Sequence, residues 1–352
     1  MRIRQPACQS RASAPISDAS AFLMMGAGCI AFSMKEPLAP HRGSCKCGPF
    51  GGYCAARKPG ACTMPTITRI ANEFLAVAIS SLGAEMQSAT TRDGAGWLWN
   101  GDAAFWTGRS PVLFPIVGKA PDDTLLIDGA PYPMAQHGFA RRREFTLDDA
   151  AATACRYVLE ASDETRAAYP FDFRLAVAHS LDGPALTVAA EVENRGETPM
   201  PFGCGFHPAF RWPLPGAQDR PHAVILDNAG EPERQPLEKG LLSRDRIASP
   251  FQAGRLTLAP DLFEDDALVF PEGAGNGLTY AAEGGPSLTF HFENLPNLAL
   301  WTKPGAPFLC VEPWHGTAAL YEGPHELKDR PYTTLLGPGE HTRFAFTVIF
   351  PT

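Results

Sequence analysis

The sequence predicts an all-β protein of many short antiparallel strands, and two observations carry that prediction. Five segments alternate apolar and polar residues with the two-residue period of a strand: RYVLEAS at 156–162, FRLAVAHSL at 173–181, LTVAAEVEN at 186–194, SLTFHFENL at 287–295 and RFAFTVIF at 343–350. The chain also carries 33 Gly and 34 Pro, and turn formers such as LDGPA, NRGETP and EGGPS fall between those runs.

Each element follows from its own residues. In the last run Phe344, Phe346, Val348 and Phe350 share one face and can fill the inside of a sandwich. His179 and His291 sit within the alternation and read as scaffold. No stretch of ten or more residues shows a helical stripe, no internal repeat is visible, and nothing marks a second domain inside 64–352. With 45% hydrophobic and 19% charged residues, a body of this size can bury one large core.

Residues 1–63 differ in kind. They hold eight Lys/Arg against two acids, a net of +6, so that the remaining residues carry 22 basic against 36 acidic groups, a net of −14. An acidic body is a poor partner for nucleic acid or an anionic membrane, and neither is expected. Six of nine cysteines also fall in 1–63; their spacing, C-x-C-x6-C-x7-C over Cys45 to Cys62, is not the paired pattern of a zinc site. The run AFLMMGAGCIAF at 21–32 resembles the apolar part of a secretory signal, but Asp18 interrupts its approach and it is too short to span a bilayer. We read 1–63 as a leader outside the domain, with a start at Met64. Only Cys155, Cys204 and Cys310 remain in the body, too few and too scattered for a disulfide framework, so a cytoplasmic protein is expected.

Four clusters set a titratable residue among Gly, Pro and aromatic residues: Arg109 in GRSPVLFPIVG, His137 in QHGFARRREF, His207 in CGFHPAFRWP and Glu312 in WTKPGAPFLCVEPWHG. Gly lets the backbone approach a ligand, Pro stiffens the presenting segment, and aromatic rings offer a face to the apolar side of a sugar. Each histidine taken alone is more often structural than catalytic. Glu312 sits in an apolar run, where a carboxylate needs a partner or a function. Arg141, Arg142 and Arg143 form a charge run whose default meaning is a solvated face.

Together with NEFLAVAISSLGAEMQS, LWNGDAAFWTGRSPVLFPIVG and LFEDDALVF, these motifs resemble the aldose 1-epimerase (galactose mutarotase) family, and within it the LacX-like branch, from about residue 67 to the C-terminus. The resemblance implies a galactose mutarotase-like β-sandwich that binds sugar in an open cleft without metal or cofactor. It assigns the general base to Glu312 and the general acid to His207, with His137 as the second active-site histidine. It further implies a substrate-binding aspartate at Asp266, with Asp265 adjacent, an active-site arginine at Arg109, and a sugar-facing ring at Trp301. The expected activity is interconversion of the α and β anomers of a hexose. Two alternatives stand beside it: a mutarotase for hexose 6-phosphates, in which Arg109, Arg141 and Lys303 would neutralise the phosphate, and a carbohydrate-binding module without turnover. The partner is thus a monosaccharide or a sugar phosphate, and a monomer and a homodimer are equally compatible with the sequence.

Overall fold

A computed structural model describes residues 64–323 and 325–352, and the reading of 1–63 as a leader lies outside the described residues. Two sheets dominate. The larger runs, in spatial order, Arg255–Thr257, His222–Leu226, Gly277–Ala282, Ser287–Glu293, His341–Ile349, Ala185–Asn194, Phe173–Asp182, Ala154–Glu160 and Thr146–Ala150, every neighbour antiparallel. All five strands expected from the alternation are in it, with bounds within two residues of those read from the sequence. Ala185–Asn194 shows why they were legible: every second residue is buried along its whole length. The edge strand Thr146–Ala150 is exposed throughout and presents Asp148 and Asp149, charges that discourage pairing with another chain.

The second sheet orders Leu268–Phe270, Asn297–Trp301, Phe308–His315, Cys204–Phe206 and Val112–Leu113, with Ala209–Arg211 also paired to Phe308–His315. These strands read as buried runs rather than alternations, because both faces are covered. Phe344, Phe346 and Val348 point from the large sheet into the space between the sheets, where they meet Phe206, Leu298, Leu300, Leu309 and Val311 of the second. Phe206 and Phe346 touch across that gap with ring centroids 5.1 Å apart, and Phe210 and Phe290 do the same at 5.2 Å.

Strand geometry then places the chemistry. Since Leu309 and Val311 face the core, the intervening Cys310 and Glu312, with Trp314, must face away from it. The single short α-helix among the described residues, Asp163–Arg166, is nucleated by a capping box in which Ser162 and Thr165 satisfy each other's backbone N–H groups.

Candidate functional site

The face of the second sheet turned away from the core carries a pocket of about 310 Å³. His137, His207, Arg141, Asp266, Trp301 and Glu312 line it, drawn together from segments up to 175 positions apart in the chain. Glu312 comes from the middle of Phe308–His315 and is 2% exposed. His207 follows directly on Cys204–Phe206, where Phe206 is turned into the core and its successor therefore outward. Gly205 is required there, since a Cβ on it would lie 2.6 Å from the Trp314 ring.

His207 Nε2 and Glu312 Oε2 are 3.1 Å apart. The imidazole of His207 is boxed by rings: Trp106 at 5.0 Å, His137 at 5.6 Å and Trp301 at 5.7 Å between centroids. Burial pushes Glu312 well above the usual carboxylate range, helped by the charge of Asp266 and opposed by Arg141. Burial likewise pushes His207 well below its ordinary value, reinforced by His137 and Arg141. The ordinary values would order the pair as carboxylate and imidazolium, and burial opposes that order. With one proton the pair is neutral overall, whether the proton rests on oxygen or nitrogen, and only its loss or a second protonation leaves a net charge in the dry site. Burial therefore widens the pH range of the singly protonated pair at both ends, and its two shifts both favour the proton on Glu312.

His137 is held differently. Its Nδ1 accepts a hydrogen bond from the Gly118 N–H at 3.1 Å, and its own backbone N–H donates to the Gly118 carbonyl at 2.8 Å. With Nδ1 accepting, the proton of the neutral ring sits on Nε2, on the side where Gln136 lies 3.4 Å away. Burial, then the charges of Arg141 and Arg142, lower its pKa to about 3, so the ring is a neutral donor and not an acid at ordinary pH. Its backbone is left-handed at φ 64° and Gly138 follows at φ 73°, a turn in which a Cβ on Gly138 would fall 2.1 Å from the Phe114 carbonyl oxygen.

The remaining expected residues divide. Asp266 lines the pocket while Asp265 lines a separate cleft beside Arg234 and Asp261. Arg141 is the member of the arginine run that turns inward; Arg142 is exposed and Arg143 pairs with Glu164. Arg109 does not reach the pocket: its guanidinium donates to the Asn100 carbonyl and to Gln87, and its neighbours form a different cleft. The structure thus does not bring Arg109 together with the pocket residues: Nε and Nη1 are held by a backbone and an amide acceptor close by. Lys303 is also turned away, donating to the Phe105 carbonyl at 2.8 Å.

Sequence reasoning passed over Trp106, Gln136 and Trp314, which line the pocket, although all three lie beside residues it chose. Trp106, three positions before Arg109, supplies the ring over His207 that GRSP could not. Ligand-type atoms of His207, Cys310 and Glu312 lie within 4.8 Å of one another, a set with the right atoms for a metal. A thiolate ligand would have to form first, and burial and Glu312 keep the Cys310 thiol well above its usual range.

The fold places a buried carboxyl against an imidazole in a ring-lined pocket, and the comparisons give the class: the chain belongs to the aldose 1-epimerase family, whose model matches residues 65–238. Its relatives include Protein LacX of Lactococcus lactis subsp. lactis, in chromosomal and plasmid forms, each 30% identical over 292 residues, covering 79% of this chain and 97% of the relative. Among solved structures, a galactose mutarotase related enzyme from Lactobacillus acidophilus is 26% identical with a TM-score of 0.77, covering 82% of this chain and 98% of its own. A galactose mutarotase-like protein from Lactobacillus casei is 27% identical with a TM-score of 0.75, covering 81% and 100%. The family membership supports a mutarotase-type isomerase role. No helix among the described residues is long and apolar enough to cross a membrane.

Proposed function

We propose that this protein interconverts the α and β anomers of a hexose by acid–base opening and closure of the ring, with Glu312 and His207 as the reacting pair. The observation that carries the proposal is their contact at 3.1 Å in the pocket wall. Opening a cyclic aldose requires removal of the O1 proton and delivery of a proton to the ring oxygen. Both oxygens are bonded to the same carbon, so acid and base must stand side by side. Glycoside hydrolysis asks for two carboxyl groups roughly 5 Å or more apart, flanking the bond. A carboxyl and an imidazole in contact suit the first reaction.

At rest the single proton of the pair favours Glu312. A sugar whose O1 hydroxyl donates to that carboxyl stabilises its ionised form, and the proton passes to His207 across the existing contact. Glu312 then takes the O1 proton as His207 Nε2 delivers its own to the ring oxygen. Rotation about C1–C2 presents the other face of the carbonyl, and reversal of both transfers closes the ring on the opposite anomer. Atoms and charge balance, and the pair again holds one proton. His137 donates from Nε2–H to an adjacent hydroxyl, Asp266 and Arg141 fix further hydroxyls, and Trp301 and Trp106 cover the apolar side of the ring.

A neutral sugar is the better reading of the substrate. Of the three cations that could neutralise a phosphate, Arg141 alone lines the pocket, while Arg109 and Lys303 are engaged elsewhere. Polarimetry of freshly dissolved α-D-glucose, α-D-galactose and glucose 6-phosphate, with residues 64–352 and the Glu312→Gln variant, tests the proposal. Faster relaxation of a neutral sugar, lost in the variant, is expected. Acceleration of the phosphate alone would transfer the activity to sugar phosphates. Tight sugar binding without acceleration would leave a binding module.

A further inference from the structure

The short turn Leu327–Asp329 ends at Arg330, and the side chain of this arginine enters the protein instead of solvent, remaining 5% exposed. Its Nη2 donates to the Thr317 carbonyl at 2.7 Å and the Val117 carbonyl at 3.0 Å, with the Lys119 carbonyl at 3.5 Å. Nη1 has no hydrogen-bond partner among the described residues. Burial lowers its pKa to about 10, which leaves it charged at neutral pH. A buried charge held mainly by main-chain carbonyls is costly to keep, and its position needs a reason.

The reason lies in one peptide group. The Val117 carbonyl that accepts from Arg330 and the Gly118 N–H that donates to His137 Nδ1 are the two ends of the same amide. A cation donating to the carbonyl draws electron density from the amide and makes its N–H a stronger donor, the cooperative strengthening expected of hydrogen bonds in series. The same nitrogen's bond to the Thr317 carbonyl ties down the neighbouring segment, where Ala318 lines the pocket and would collide with any Cβ on Gly118, 2.5 Å from its Cα.

We propose that Arg330 is a positioning residue for His137: through the Val117–Gly118 peptide it holds the imidazole in its Nε2–H tautomer, donor edge toward the sugar. The effect is transmitted without contact between Arg330 and the substrate. The other charged or titratable groups acting on His137 are Arg141, Arg142 and His207. The functional part of the inference rests on the reading of His137 as a donor to the sugar, whereas the tautomer is a property of the free protein.

NMR of ¹⁵N-labelled protein without sugar separates the two. Wild type is expected to show a through-hydrogen-bond coupling between the Gly118 amide nitrogen and His137 Nδ1, with Nε2 protonated and Nδ1 bare between pH 5 and 8. Arg330→Met, which keeps the stem and removes the charge, is expected to weaken that coupling, mix the tautomers and raise the pH at which His137 titrates. Its kcat for anomer exchange falls roughly 10- to 100-fold, in the range of losses on removing groups that orient a functional histidine, with KM changing less. Arg330→Lys, retaining charge without the planar fork, falls between the two and supplies the comparison if the Met variant does not fold. Absence of the coupling in wild type, or an unchanged tautomer and titration in either variant whatever its activity, overturns the proposal.

Discussion

Replacing His179 with Leu is expected to remove about 2 kcal/mol of the acid sensitivity of the fold. His179 lies within Phe173–Asp182, is 1% exposed, and faces Cys155 and Val188 as its register partners. Its Nδ1 has no hydrogen-bond partner among the described residues. Burial alone lowers its pKa from 6.5 to about 4. Because the folded-state value lies below the unfolded one, the contribution is complete above pH 6.5 and is lost as the pH falls through about 4. The full loss is about 3 kcal/mol, and the part falling between pH 7 and pH 5 is about 2 kcal/mol. Urea unfolding followed by tryptophan fluorescence at the two pH values measures the drop in wild type and in His179→Leu. His137 and the other histidines titrate in both proteins, so the difference between the two drops isolates His179. At pH 7 the variant should match or exceed wild type, since an unpaired buried nitrogen is exchanged for an apolar group of similar size. Equal drops in the two proteins would refute the argument that this imidazole is buried and neutral.

Glu312→Gln should keep the fold and lower kcat for anomer exchange by roughly 10²- to 10⁴-fold, the range for loss of a general acid or base, as polarimetry would show. Asp266→Asn removes a negative neighbour that raises Glu312, so the alkaline limb of the pH–rate profile should move to lower pH; a limb that stays in place would mean the two carboxyls do not interact. Gly118→Ala should cost about 2–4 kcal/mol in thermal or chemical unfolding, combining a left-handed backbone at φ +67° with a Cβ forced against Ala318. In the same variant the His137 Nδ1 contact lengthens, and activity should fall further than stability alone explains.

The legible part of this protein was the part built from one repeating physical pattern. A half-covered strand such as Ala185–Asn194 writes its burial into every second letter. The strand Phe308–His315 is buried at seven consecutive positions, so its alternation between core and pocket left no polarity signal apart from Glu312. Clusters of Gly, Pro and aromatic residues around titratable groups pointed to His137, His207 and Glu312, the family resemblance added Asp266 and Trp301, and all five line one pocket. Where Arg109 would lie could not be read from spacing, which does not say which acceptors a long side chain will meet; Asn100 and Gln87 meet it outside the pocket. The protonation order of Glu312 and His207 was also beyond the sequence, since burial works against it and burial is set by the whole sandwich. Arg330 in KDRPY gave no sign of its role, because its partners are main-chain carbonyls that no side-chain motif records.

The alternation along Phe308–His315 has a further consequence for how this protein can fail. Leu309 and Val311 belong to the core, and Cys310, Glu312 and Trp314 to the opposite face. A slip of one residue in its pairing with Asn297–Trp301, where Glu312 stands against Ala299, would exchange the two sets, driving a carboxyl into the apolar interior and leaving a valine beside His207. Each methyl group that favours the native pairing therefore also guards the address of Glu312. Molecules misaligned in this one strand would form a compact population without the Glu312–His207 contact, and the fraction of pockets that hold this contact would count those that folded in register.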